Sequence, residues 1–169
     1  PTHVSMYCLT LEKDTPMERL VKLRQIPDPD MDLAADMYMM AEDVMKRLKY
    51  RHYEISNWAM PGNECSHNLI YWRTQSYLGI GPGAHSYFPS YRFFNLDSPK
   101  EYIRRLTGNA LNSIVYTTES LSEIISKVPV VESVESVNQR TQMAETLMLG
   151  LRLDTGVNLD EFVRRFDVY

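Results

Sequence analysis

The run His67-Asn-Leu-Ile-Tyr-Trp72 is the part of this sequence best suited to chemistry, because it places an imidazole beside two large aromatic rings. A neutral imidazole nitrogen serves as an axial ligand of haem iron. Tyrosine and tryptophan rings can cover the edge of a porphyrin while their polar atoms find partners. The residue types therefore fit a haem or porphyrin pocket, and they fit equally a buried histidine in an aromatic core, which is the more frequent arrangement.

A second candidate site is the glycine-rich segment Gly79-Ile-Gly-Pro-Gly-Ala-His85. It departs from the dinucleotide-binding pattern, because Ala84 stands at the third glycine position and Pro82 lacks a backbone donor. Its glycines indicate tight turning and a close approach of the backbone. A flat ligand such as an adenosine could lie against this backbone, and a strand corner with a bulge explains the pattern as well.

The remaining polar residues form no recognisable catalytic set. We find no Ser/His/Asp nucleophile pattern and no carboxylate pair at a spacing that demands acid–base work. The two cysteines, Cys8 and Cys65, make no CxxC pair, which excludes a zinc ribbon, a thioredoxin-type motif and a self-contained iron–sulfur site. We therefore expect this chain to be inactive as a catalyst by itself.

Composition places the chain among ordinary globular proteins. Of its 169 residues, 44% are hydrophobic and 24% charged. The formal net charge of −4 argues against general nucleic-acid binding, and the basic pairs Arg104-Arg105 and Arg164-Arg165 stand beside acidic residues, as on solvated helix faces. No apolar run reaches the roughly 18 residues of a membrane span. With two unpaired cysteines, the sequence predicts a cytoplasmic protein.

The first part of the chain must position the histidine motif. We predict a strand over His3–Leu11, a helix over Asp32–Leu48 and a second strand over Tyr53–Trp58. A helical connection between strands predicts a parallel pair with a right-handed crossover. The loop over Met60–Asn68 would then carry the motif away from the C-terminal end of the second strand.

The second part of the chain reads as short strands followed by helices. Tyr91–Asn95 is expected to pair with Tyr77–Ile80 or with His85–Phe88. Residues 110–136 are the least regular, with a helix start at Thr117–Glu119 and a strand-like pattern over Val128–Val137. Further helices are predicted over residues 99–106, 138–151 and 158–165, and one helical turn near residues 17–23.

Several ordered motifs closely resemble the oxygen-independent coproporphyrinogen III oxidase-like radical SAM proteins, and within them the haem chaperone branch. The motifs are Tyr53-Glu-Ile-Ser-Asn-Trp-Ala59, Pro61-Gly62, Cys65-Ser-His-Asn-Leu-Ile-Tyr-Trp72, Tyr77-Leu-Gly-Ile-Gly-Pro-Gly-Ala-His-Ser86, and Leu147-Met-Leu-Gly-Leu-Arg-Leu153 with Gly156-Val.

The resemblance implies an α/β fold: the C-terminal part of a partial (β/α)6, TIM-like radical SAM barrel, followed by a small helical domain. Residues 1–108 would belong to the barrel, 109–137 to a connector and 138–169 to the start of the helical domain. The family's CxxxCxxC cluster motif does not occur in this sequence. S-adenosyl-L-methionine and the [4Fe–4S] cluster would therefore be held by other parts of a longer protein, and the chain would be a C-terminal fragment with no iron–sulfur ligands.

The resemblance also assigns candidate site residues. His67, Asn68, Tyr71 and Trp72 match the HNxxYW haem-binding motif of the chaperone branch, with His67 as ligand of the haem iron. Cys8 and His85 match positions that line S-adenosylmethionine in the oxidase branch, although the residue types differ there.

These residues imply a haem chaperone that delivers haem to haem-requiring client proteins. The alternative is an oxygen-independent coproporphyrinogen III oxidase, which decarboxylates the propionates of coproporphyrinogen III to give protoporphyrinogen IX in porphyrin biosynthesis. In both cases haem or a porphyrin is the expected partner. Open strand edges of a partial barrel would also favour self-association of the chain.

Overall fold

The computed structural model describes residues 1–88, 90–107 and 120–168. The chain divides into two compact units. The first unit comprises residues 1–66 and 153–155, and the second unit comprises residues 67–152 and 156–169.

The sheet of the first unit contains three strands: β1 (His3–Ser5), β2 (Arg51–Glu54) and β3 (Asn57–Ala59). Their order is β1-β3-β2, and both pairings are antiparallel. Three predictions are therefore wrong. The first strand, predicted to reach Leu11, ends at Ser5. The residues predicted as the second strand, 53–58, form the hairpin β2–β3. The predicted parallel pair is absent from the described sheet, because β3 lies between β1 and β2, which run in the same direction.

The hairpin escaped prediction because its two-residue turn contains no glycine, proline, asparagine or aspartate. Ile55 and Ser56 connect the strands, and the Glu54 carboxylate accepts a hydrogen bond from the Ser56 backbone N–H at 3.3 Å. Glu54 is buried and also accepts from the Asn57 side-chain amide, which in turn accepts from the Ser5 hydroxyl. This buried polar network closes a turn that the sequence does not signal.

Two helices complete the first unit, α1 (Pro16–Lys22) and α2 (Met31–Arg47). The predicted boundaries of α2 are confirmed within one residue. Asp30 caps it, since its carboxylate accepts from the backbone N–H groups of Asp32 and Leu33, both at 3.0 Å. The helix contacts the hairpin through polar and aromatic groups: the Trp58 indole N–H donates to the Glu42 carboxylate at 3.0 Å, and Tyr38 lies 5.8 Å from the Trp58 ring.

The second unit contains the sheet β4 (His85–Phe88), β5 (Tyr91–Asn95) and β6 (Val131–Ser136), in that order and antiparallel. Of the two pairings predicted for residues 91–95, the one with residues 85–88 is present. The strand-like pattern over residues 128–137 is also confirmed, since residues 131–136 form β6 and pair with β5.

The helices that lie in the second unit in the described residues are α3 (Ser66–Trp72, whose first residue belongs to the first unit), α4 (Pro99–Thr107), α5 (Leu121–Ser126), α6 (Gln139–Gly150) and α7 (Leu159–Phe166). The helices α4, α6 and α7 agree with prediction to within about two residues at each end, since helix ends have local signals in the sequence. Helix α3 was not predicted. The helix start predicted at residues 117–119 and the domain boundary predicted at residues 108/109 lie outside the described residues. No helix in the described ranges is long and apolar enough to cross a membrane.

Candidate functional site

The histidine motif lies on helix α3, which we call the motif helix (Ser66–Trp72). The prediction that a loop carries it is wrong, since the loop ends at Cys65. Residues 66–72 contain no glycine or proline that would interrupt a helix. The Arg73 backbone N–H donates to the Leu69 carbonyl at 3.0 Å, which is the hydrogen bond of an α-helical turn. A helical repeat therefore fixes the directions of the motif side chains.

The motif consists of two pairs with the i, i+4 spacing, His67 with Tyr71 and Asn68 with Trp72. Residues at this spacing share one face of a helix. The first pair is exposed and in contact: the Tyr71 hydroxyl lies 3.0 Å from His67 Nε2, and the two rings meet edge to face at 5.0 Å. The second pair is only partly exposed.

Trp72 points to a different side of the motif helix from His67. Five residues of α-helix correspond to a rotation of roughly 140° beyond one full turn. The Trp72 indole N–H is buried, with no hydrogen-bond partner among the described residues, and the Arg152 guanidinium lies 5.6 Å from the ring centroid. A ligand on the His67 side therefore meets Tyr71 before Trp72, and the packing of both rings on a macrocycle stays a prediction.

The Tyr71 ring packs against a second tyrosine, Tyr77. The two rings meet edge to face at 4.6 Å, and Tyr77 in turn lies 6.4 Å from Tyr87 and forms a backbone bridge with it. Burial raises the pKa of Tyr77, and the neighbouring Tyr71 adds to this rise. The HNxxYW motif does not include Tyr77, because its contact with Tyr71 depends on tertiary structure and has no local signal in the sequence.

The C-terminal end of the motif helix is hydrogen-bonded to helix α7 through Arg165. Thr74 has φ of 47°, and the Gln75 N–H donates to the Ile70 carbonyl at 2.9 Å, as in a Schellman motif. The Arg165 guanidinium donates to Thr74 Oγ1 at 2.6 Å and to the Thr74 carbonyl at 3.1 Å. Arg164 and Arg165 are both exposed, as the sequence interpretation of a solvated pair predicts, and Arg165 in addition binds the end of the motif helix.

The glycine-rich segment forms a strand corner. A Cβ atom at Gly79 would lie 2.2 Å from the His85 carbonyl oxygen, which confirms the predicted close approach. The Gly79 N–H donates to the Ser86 hydroxyl at 2.9 Å, and the Gly81 N–H donates to the Tyr102 hydroxyl at 3.2 Å. These two backbone donors are thus used within the protein and are unavailable to a phosphate.

The two residues predicted to line S-adenosylmethionine lie in different units. Cys8 is exposed and follows β1 in the first unit. His85 is exposed at the start of β4 in the second unit, where its ring stacks on Phe94 at 5.2 Å. Their role stays a prediction. The described residues hold no group of three or more His, Cys, Asp or Glu side chains that could bind a metal ion, so they do not fit an iron–sulfur cluster.

Comparison with known proteins gives a consistent set of relatives, although no protein-family model matches the chain. The "Heme chaperone HemW" of Lactococcus lactis is 32% identical over 97% of this chain and 38% of its own length. The mouse "Radical S-adenosyl methionine domain-containing protein 1, mitochondrial" is 46% identical over 51% of this chain and 20% of its own length. The chain thus spans well under half the length of the curated relatives that it matches.

A solved structure shows the fold. The coproporphyrinogen III oxidase HemN from Escherichia coli, described as a radical SAM enzyme, superposes with a TM-score of 0.61 over 99% of this chain and 37% of HemN, at 12% sequence identity. The chain therefore has the fold of part of a radical SAM protein, and the predicted α/β class is confirmed. Its relatives include HemW haem chaperones and a radical S-adenosyl methionine domain-containing protein. The chain belongs to the coproporphyrinogen III oxidase-like radical SAM family.

Proposed function

We propose that the protein to which this chain belongs binds haem through the motif helix and delivers it to haem-requiring proteins. The observation that carries the proposal is His67, an exposed imidazole on a short helix with Tyr71 on the same face. An exposed histidine ring fits an axial ligand of haem iron, which is here the cargo. Relatives named haem chaperones support delivery as the purpose of binding.

The other motif residues have supporting roles in this proposal. Tyr71 contacts the porphyrin edge beside the ligand, and Trp72 and Asn68 fix the helix face behind it. The kinship with radical SAM proteins supports S-adenosyl-L-methionine and a [4Fe–4S] cluster as cofactors of the longer protein. When bound, these groups supply radical or redox chemistry, and residues outside this chain would have to ligate the cluster. A cytoplasmic location is part of the same proposal, and cell fractionation tests it.

The alternative function is the decarboxylation of coproporphyrinogen III. The observation that favours it is the structural match with HemN, which is named as that oxidase. At 12% identity the match concerns the fold and leaves the substrate open. Anaerobic turnover of coproporphyrinogen III by the intact protein, followed as protoporphyrinogen IX formation, would favour this alternative.

The ligand assignment is tested by titrating the intact protein and the variant His67→Ala with haem. We expect the shifted Soret band to be lost in the variant and the affinity to fall at least about tenfold, because an iron ligand is removed. His85→Ala is the matched control for haem binding, since His85 is also an exposed histidine of the second unit, its ring stacks on Phe94, and its predicted role concerns S-adenosylmethionine and not haem. An unchanged Soret band in His67→Ala would contradict the proposal.

A further inference from the structure

The hydrogen bond between Tyr71 and His67 occupies the nitrogen that haem iron would need. We propose that the Tyr71 hydroxyl competes with haem iron for His67 Nε2, so that this tyrosine limits the affinity for haem and promotes its release. The inference rests on the proposed function, because it concerns the same histidine.

The choice of Nε2 follows from the shape of the imidazole ring. Nε2 lies at the far end of the side chain, whereas Nδ1 is bonded to the carbon that carries Cβ, where a flat macrocycle is crowded by the side chain itself. In the structure the Tyr71 hydroxyl lies 3.0 Å from Nε2. In either tautomer of His67 this contact occupies Nε2, and an iron atom needs the lone pair of the same nitrogen. The hydrogen bond and the iron bond therefore exclude each other.

Tyr71 is well placed to act as a competitor because its ring has a defined position. The i, i+4 spacing on the motif helix brings it to His67, and Tyr77 packs against its other side at 4.6 Å. Its side chain is nevertheless 38% exposed, so the hydroxyl or the imidazole can turn away without disturbing the buried core. The state that accepts haem thus differs from this structure by one broken hydrogen bond.

A competing hydroxyl suits a protein that must release its cargo. When the iron bond lengthens, the Tyr71 hydroxyl can return to Nε2 and replace the iron. One net hydrogen bond corresponds to a change of about 2- to 10-fold in an equilibrium constant. This is large enough to shift haem toward an acceptor and small enough to allow initial binding.

The test compares Tyr71→Phe with wild type in the intact protein. Phenylalanine keeps the ring that packs between His67 and Tyr77 and removes only the hydroxyl. We expect haem affinity, measured by Soret titration, to rise about 2- to 10-fold, and haem transfer to excess apomyoglobin to slow by a similar factor. The control is Tyr77→Phe, which removes a hydroxyl from the neighbouring ring without touching His67, and we expect it to bind haem as wild type does.

A haem-free measurement tests the same contact. Acylation of His67 by diethyl pyrocarbonate, followed by peptide mass analysis, is expected to be faster in Tyr71→Phe because its Nε2 is then open. The inference is overturned if Tyr71→Phe binds haem as tightly as wild type or more weakly while His67→Ala has lost the Soret shift. In that case the proposed function stands. A wild-type Soret band in His67→Ala would instead refute both.

Discussion

Gly79 determines the path of the strand corner that follows the motif helix, because its position leaves no room for a side chain. A Cβ atom there would lie 2.2 Å from the His85 carbonyl oxygen and 2.8 Å from the His85 carbonyl carbon. Both are backbone atoms, which cannot move aside as a flexible side chain can. The corner also bonds to the buried Asn95 side chain, whose amide donates to the Gly81 carbonyl at 2.9 Å.

We therefore predict that Gly79→Ala destabilises the protein by about 2 kcal/mol, the range of an overpacked core position. Urea unfolding followed by circular dichroism measures the change. The control is Ile80→Ala at the next position, since the Ile80 side chain is 84% exposed and its removal should shift the midpoint little. Equal midpoints for Gly79→Ala and Ile80→Ala would show that the corner adapts to a side chain.

For single residues, the sequence predicts which residue types form the candidate site better than it predicts their contacts. The motif predicts His67 and Tyr71 as site residues, whereas the prediction of a loop over residues 60–68 misses the helical repeat that joins them. Tyr77 and Arg165 were not in the predicted site, since their contacts depend on tertiary structure. The close approach at Gly79 was predicted correctly, because glycine clusters have a local cause.

Among the elements, α7 stabilises the motif helix through one guanidinium group. A threonine at φ of 47° is strained, because β-branched residues disfavour the left-handed region. The Arg165 guanidinium bonds both the hydroxyl and the carbonyl of Thr74, so it stabilises this conformation and the exposed carbonyl end of the helix.

We predict that Arg165→Ala lowers stability by about 1 kcal/mol, allowing for the exposure of these bonds, and speeds amide hydrogen exchange at the end of the motif helix. Native-state exchange at residues 73–75 measures the effect. Arg164→Ala is the matched control, because the Arg164 Nε donates to the Asp160 carbonyl of its own helix, at 3.3 Å. If amide exchange at residues 73–75 is equally fast in both variants, the stabilisation of the helix end is not specific to Arg165.

The accuracy of the predicted elements depended on whether their signals are local. Asp30 and Asn138 cap their helices by accepting backbone hydrogen bonds three residues or fewer away, and the helices α2 and α6 were predicted closely. Strand pairing depends on distant residues. The insertion of β3 between β1 and β2 follows from a turn at Ile55-Ser56 that has no glycine, proline or asparagine to reveal it.

At the scale of the whole molecule, the relevant feature is the side of helix α2 that does not contact the hairpin. Its contacts with the hairpin use Tyr38 and Glu42. An apolar stripe at three- and four-residue spacing lies elsewhere on the helix and is exposed, comprising Leu33, Met37, Met40, Val44 and Leu48. An exposed apolar stripe of this length is a surface that tends to associate. The strand β1 is also an edge of the three-stranded sheet in the described residues, whereas the outer side of β2 bridges to Leu153.

We predict that the 169-residue chain, produced by itself, self-associates in a concentration-dependent manner. Met37 and Met40 are 62% and 67% exposed, so their burial between copies would remove apolar surface from water. Replacing both by glutamine keeps side-chain length and helix propensity while removing much of this driving force. Sedimentation velocity should show association weaker by about tenfold.

The control for this prediction changes two polar positions of the same helix, Asp36→Gln with Asp43→Gln. Both residues are exposed, and their replacement leaves the apolar stripe intact, so we expect association at least as strong as in the unchanged chain. If the methionine variant associates as strongly as the control, the stripe is not the contact surface.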